Sequence, residues 1–236
     1  MTDRSDAGPT ERHPPGSPTL SPLSELVDRV LARHGYELTR AVETVDAAVP
    51  GFGGLFDPNT STGDLRTALE SVLAGEVPPA EPPALAGDRL VLYVDGSSRG
   101  NPGPAGAGAV LVDGAETPPG EVGIDPDLPT LAELGRPVGS NAGNNVAEYA
   151  ALHLGLDAVS RWYPDTPLEV RIDSMTVVRS VWGDEDPHPG CDGYAAAIRE
   201  LLARVPSHEW THLADHHPNP ADALATVGAD FAALGP

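Results

Sequence analysis

Asp95 closes an apolar segment, residues 90–94, and opens onto Gly96-Ser97-Ser98-Arg99-Gly100-Asn101-Pro102-Gly103. An acid at the end of a strand, followed by a glycine-rich turn, fixes a carboxylate on a rigid sheet and brings bare backbone close to a ligand. That arrangement suits a metal-dependent site facing a phosphate. Three more acids stand in comparable places. Glu148 lies in the first turns of a helical segment, Asp173 follows the apolar run 168–172, and Asp222 lies at the start of the last helical segment. If the two strand ends are neighbours and the two helix starts abut them, four carboxylates meet. Such a cluster repels itself and raises its own pKa values. Divalent cations resolve the conflict, because Mg²⁺ takes few protein carboxylates, keeps waters and completes its shell with phosphate oxygens. Two such ions about 4 Å apart activate a water and stabilise the leaving oxygen in phosphodiester hydrolysis. In a chain with 35 acidic residues, surface hydration is the competing role for any one of them, and an Asp also suits the first turn of any helix.

The elements that must position these acids read as follows. Residues 90–96, 107–113, 131–138, 168–173 and 208–213 have the apolar content of strands, and residues 144–162, 174–182, 193–205 and 219–234 the spacing of helices. Residues 115–130 and the acidic stretch 184–190 read as loops. Three strands followed by alternating helices and strands imply an α/β fold with a mixed sheet and helices packed against it. Upstream, Leu23, Leu26, Val27, Val30 and Leu31, then Val42, Val45, Ala48 and Val49, then Leu65, Leu69, Val72 and Leu73 recur at helical spacing. The expected organisation is a disordered tail over 1–20, a small helical domain of unassigned role over 21–75, a Pro-rich linker over 76–87 and a catalytic domain over 88–236.

The composition adds a constraint. Formal net charge is −21, all 14 basic residues are Arg, and the chain has neither Lys nor Gln. Periodic apolar segments argue against a disordered acidic chain, which leaves a folded protein adapted to molar salt and a halophilic source. Acidity opposes nucleic-acid binding at low salt, but the Debye length falls to about 3 Å at 1 M. Recognition there would rest on short-range hydrogen bonds. The single cysteine, Cys191, excludes an intramolecular disulfide and reads as inert. No secretory signal and no long apolar run is seen, so a cytoplasmic setting is the simplest expectation.

Four segments, YVDGSSRGNPGPAGAGAVL, NNVAEYAAL, VRIDSMTVV and NPADALA, occur in one order, and together the domain resembles type 1 ribonuclease H. With the composition, the resemblance points to a halophilic archaeon. It implies a ribonuclease H-like five-stranded mixed sheet flanked by helices, and cleavage of the RNA strand of RNA–DNA hybrids with two Mg²⁺ or Mn²⁺ ions. It implies that Asp95 bridges both ions, that Glu148 and Asp173 hold the ion near the leaving group, and that Asp222 holds the ion that activates water. Products would carry 5′-phosphate and 3′-hydroxyl ends. Gly96, Ser97, Asn101, Asn144 and Asn145 match positions that contact the hybrid, with Asn144 doubling as a candidate helix N-cap. His216 or His217 would match a mobile histidine that aids product release; a zinc site among His212, His216 and His217 lacks a second ligand set.

Three departures bear on the substrate. Met175 stands where many relatives have Gln, Gly143 where many have a DNA-phosphate-binding Thr, and the short acidic segment 184–190 where many bacterial relatives insert a basic helix. They keep open a broader nuclease acting on double-stranded RNA or RNA–DNA junctions. A catalytically silent nucleic-acid-binding module is a further alternative. A monomer with no membrane contact is expected.

Overall fold

The structure is a computed structural model and describes residues 13–51, 53–76, 82–116, 130–214 and 217–235. Parts of the expected tail, linker and first long loop, together with His216, lie outside the described residues.

Five strands form one sheet in the order β3-β2-β1-β4-β5: β1 (Leu90–Ser98), β2 (Gly103–Asp113), β3 (Thr130–Ala142), β4 (Leu168–Ile172) and β5 (His208–His212). β1, β2 and β3 pair antiparallel, whereas β4 lies parallel to both β1 and β5. The sheet is therefore mixed and flanked by helices, as the element order implied. The helices of this part are α4 (Asn144–Trp162), α5 (Met175–Val181), α6 (Asp192–Leu202) and α7 (Ala221–Ala232). Alternation along β1 assigns its two faces. Leu90, Leu92 and Val94 join the large core with Ala150, Ala151 and Leu154 of α4, whereas Val91 and Tyr93 join Val110, Val112 and Ala221 of α7.

On the α7 face β2 carries Gly106 and Gly108. A Cβ at Gly106 would collide with the backbone of Gly228 and Ala229, and one at Gly108 with that of Ala221 and Ala225. The alternating glycines of the GAGA run therefore seat a helix directly on strand backbone. The α7 side of the contact is equally small, with Ala221, Ala225, Gly228 and Ala229 buried.

Beneath the acid-bearing strand ends, β1 and β4 share a buried ion network. Glu169 accepts from Arg89 Nη1 at 2.6 Å, Arg171 Nε at 3.0 Å and Thr211 Oγ1 at 2.9 Å, and Arg171 Nη1 donates to Tyr93 Oη at 2.6 Å. Burial works to raise the Glu169 pKa, but the hydrogen bond and charge of Arg171, with Thr211 and Arg89, hold it below the usual carboxylate range. Removing one member of such a network would cost about 3–5 kcal/mol by stranding a buried charge.

The N-terminal helices are α1 (Pro22–Arg33), α2 (Leu38–Ala48) and α3 (Thr62–Ala74). Ser21 and Ser61 cap α1 and α3 by accepting from Ser24 N and Asp64 N. Their buried faces belong to the same contiguous core as the sheet. Tyr36 O accepts from Gly135 N at 3.1 Å, Thr19 O accepts from Ser140 N at 3.0 Å, and Glu37 forms an antiparallel bridge with Leu134, so residues 19–37 cover the middle of the β3 edge. The segment expected as a disordered tail is placed from His13 onward. The His13 ring pairs with Asp28 at 3.0 Å and with the guanidinium of Arg136, which is 1% exposed. A polar segment that compositionally reads as solvated is ordered here because a buried guanidinium needs partners.

Candidate active site

Strand register brings two of the acids together. Leu90 aligns with Leu168 and Tyr93 with Arg171 in the parallel β1–β4 pair. The same offset, carried two residues beyond that pairing, sets Asp95, still within β1, beside Asp173, just past β4. Asp95 faces Gly108 on the other side, where α7 sits. Gly96 supplies the third acid: a Cβ there would collide with the backbone of Ala147 and Glu148, so the bare position lets the first turn of α4 press against β1. One carboxylate oxygen each from Asp95, Glu148 and Asp173 lies within 4.8 Å of the others. Asp222, in the first turn of α7, lies outside that three-acid cluster but its charge acts on Asp95, and it lines a cleft of about 280 Å³ with Asp95, Asp173, His217 and Asn219.

The electrostatics follow from this crowding. Burial, then the Asp173 and Asp222 charges, push the Asp95 carboxyl up to about 7. Burial, then Asp173 and Asp95, push Glu148 well above the usual range against the opposing hydrogen bonds from Asn144 and Gly96. Glu148 accepts from Asn144 Nδ2 at 3.1 Å through Oε1, while its buried Oε2 has no hydrogen-bond partner among the described residues. A buried carboxylate oxygen without a donor, set beside two further acids, fits hard divalent cations that take oxygen ligands.

The remaining expected residues fall around this centre. Asn101 and Asn144 are exposed on its rim, and Asn101 Oδ1 accepts from Asn144 N at 3.3 Å. Asn144 is thus not the N-cap of α4. Gly143 holds that position without a side chain, so the cap oxygen comes from across the turn. Asn145 and Ser97 are half-buried next to them, and Ser98 Oγ donates to Ala142 O at 3.0 Å, tying the turn to the approach to α4. His217 lines the cleft. His212 is exposed on β5, and Cys191 is buried with its thiol pKa pushed up to about 11 by burial and by Asp192.

One residue escaped the sequence reading. Asn219 Nδ2 donates to Val94 O at 2.9 Å, and its Oδ1 accepts from Ala221 N at 3.1 Å. It joins β1, one residue before Asp95, to the start of α7, and so sets Asp222 against Asp95. The available signal was an Asn two residues before a helix, the position where a side-chain oxygen caps backbone N–H groups.

The sheet order and the acids gathered at the β1–β4 end define a ribonuclease H-like domain. A family model described as "Reverse transcriptase-like" matches residues 93–228. The chain is 37% identical over 147 residues to Ribonuclease HI of Halobacterium salinarum, covering 62% of this chain and 67% of that protein. The crystal structure of RNase H1 from the same archaeon superposes with a TM-score of 0.50 at 35% identity, over 60% of this chain and 98% of that one. LC11-RNase H1, isolated from compost and crystallised with an RNA/DNA hybrid, also gives a TM-score of 0.50, at 30% identity over 62% of this chain and all of that one. The chain belongs to the type 1 ribonuclease H family of enzymes.

Proposed function

We propose that the chain cuts the RNA strand of RNA–DNA hybrids endonucleolytically, leaving 5′-phosphate and 3′-hydroxyl ends, with two Mg²⁺ or Mn²⁺ ions held by Asp95, Glu148, Asp173 and Asp222. The meeting of the β1 and β4 ends with the start of α4, which clusters three carboxylate oxygens within 4.8 Å, carries this reading. The hybrid bound to LC11-RNase H1 supports the substrate class.

A bound pair of divalent cations supplies charge that offsets the carboxylates and the scissile phosphate, and lowers the pKa of the attacking water. The chain's own part is positional. Asp95, which abuts the other acids, would contact both ions. Glu148 and Asp173 would hold the ion on the leaving-group side, and Asp222 the ion on the side of the attacking water. Asn219 fixes the approach of Asp222, and Gly96 that of Glu148. Asn101, Asn144 and Asn145, with Gly96 and Ser97 of the turn, would face the shallow minor groove, where an amide can donate to and accept from 2′-hydroxyls and base edges. Product release would fall to His217, which lines the cleft, or to its neighbour His216. One chain supplies all four acids, so a monomer suffices.

The working medium would be concentrated salt. With 35 acidic against 14 basic residues, the approach of a polyanion at low salt is opposed by the field of the whole molecule. A second reading, a nuclease that also accepts double-stranded RNA or RNA–DNA junctions, draws on Met175 at the start of α5 and on the acidic segment 184–190. The first lacks an amide contact that many relatives have there, and the second the basic helix that many bacterial relatives insert, so strict preference for the hybrid is weakened.

The test uses labelled hybrid, duplex RNA and junction substrates in molar KCl with Mg²⁺ or Mn²⁺. The hybrid should be cut, with its ends read by phosphatase and ligation. Asp95→Asn should lower the rate at least about a thousandfold, ~4 kcal/mol in the barrier, with an unchanged circular dichroism spectrum. An uncut hybrid under all metals and salts, or full activity in Asp95→Asn, would overturn the reading.

A further inference from the structure

A second pocket lies at the seam between the N-terminal helices and the ribonuclease H-like part. It has a volume of about 370 Å³, and its walls come from α1 and the corner after it, β3, α4 and α6. It shares no lining residue with the carboxylate cleft. In a chain with 35 acidic and 14 basic residues, three arginines face this one cavity, Arg136, Arg161 and Arg204, against two acids, Asp157 and Glu200.

Those five charges are not mutually satisfied. Arg161 pairs with Asp157 at 3.0 Å and Arg136 lies 3.6 Å from Asp28, but Arg204 has no ion pair among the described residues. His153 and Arg204 both line the pocket, and the buried Nδ1 of His153 has no hydrogen-bond partner among the described residues. Burial and then the Arg136 charge push that imidazole down to about 4, so it is neutral near pH 7 and offers one N–H. The rest of the lining is apolar or aromatic: Ala32, Leu154, Ala197, Leu201 and the Tyr36 ring, over which Arg136 stacks at 5.0 Å. Tyr36 takes up this place at φ +67°, a left-handed backbone unusual for a bulky residue, held by its N–H on Leu31 O at 2.7 Å.

We propose that this pocket binds a small organic anion, a phosphate monoester or carboxylate with a compact aromatic body. The guanidinium of Arg204 and the imidazole of His153 receive the oxyanion, a task suited to Arg's planar fork. The body rests between Leu154, Ala197 and Leu201. Pockets of this size that combine apolar walls with a few convergent polar groups are the usual form of small-molecule sites. Because the walls come from both parts of the molecule, occupancy also clamps α1 to α4 and α6 and raises stability by linkage.

The test uses the full chain in concentrated KCl, with phenyl phosphate, benzoate, inorganic phosphate and neutral phenol as probes. Calorimetry and thermal melting are the readouts. Phenyl phosphate or benzoate should bind saturably and raise the melting temperature, while phenol and inorganic phosphate bind at least tenfold more weakly. Arg204→Glu, on an exposed position, should lower the affinity at least tenfold. Ala197→Phe, which fills the cavity without changing a charge, should abolish binding. Both variants should cut the ribonuclease substrate at the wild-type rate, which separates this site from the catalytic reading. No saturable binding of either aromatic anion, equal binding of inorganic phosphate, or binding unchanged in both variants would overturn the proposal.

Discussion

Asp113 shows how single side chains hold this molecule's turns. It ends β2, is 5% exposed, and accepts from Ala86 N at 2.6 Å, Gly87 N at 3.0 Å and Ala115 N at 2.9 Å. Burial works to raise its pKa, but the N–H groups of Ala115, Ala86 and Gly87 together hold it below the ordinary value. A folded-state pKa below the unfolded one means that the carboxylate contributes stability above about pH 4, and that this is lost as pH falls through the folded value. Asp113→Asn should therefore cost about 2 kcal/mol at pH 7. Its deficit against wild type should be constant down to about pH 4 and shrink below it, as read by urea melts across that range. Asp95 and Glu148 behave in the opposite sense: burial and the neighbouring carboxylates raise their pKa values.

At the scale of elements, the contact between β2 and α7 matters most for the site. Gly106→Ala puts a methyl group into the backbone of α7. The helix must move, so a cost of about 1–3 kcal/mol or more is expected from overpacking. Activity should fall further than the loss of folded protein explains, because Asp222 travels with α7. Thermal melts beside single-turnover rates check this. The same contact explains where the sequence misled. α4 was legible at both ends, since its Ala and Leu content has one structural meaning. β2 was expected from residue 107 but begins at Gly103. Of its first residues, Gly106 is bare because α7 occupies the space a side chain would fill, and Gly103 because the Arg99 backbone does. β3 was expected to end at 138 and runs to Ala142, its polar end satisfied by Thr19 and Ser21 from a distant part of the chain. The candidate acids drew notice because Glu148 and Asp222 stand at helix starts, Asp173 just past β4 and Asp95 where the apolar run gives way to glycine; Asp95 was expected to end its strand, but β1 continues through it to Ser98. Asn219 drew none, since its role depends on a carbonyl 125 residues away.

On the scale of the whole molecule, the N-terminal helices are joined to the sheet rather than tethered to it. They share its core and lend His13, Asp28 and Tyr36 to the buried Arg136. Removing residues 1–75 should leave that guanidinium unneutralised and uncover β3. The shortened chain should melt at a lower temperature and run as large, concentration-dependent species in light-scattering chromatography; a monodisperse monomer of wild-type stability would refute this. The intact chain has a different geometry. Its β3 edge is occupied at 134–140 by residues 19–37, so among the described residues β5 is the sheet's open margin, carrying His208, Glu209 and His212. With the middle of the β3 edge covered, β5 is the longer uncovered edge available for pairing with a second copy. Self-association through strands is therefore expected at β5 and, as a two-fold β5–β5 contact, would stop at a pair.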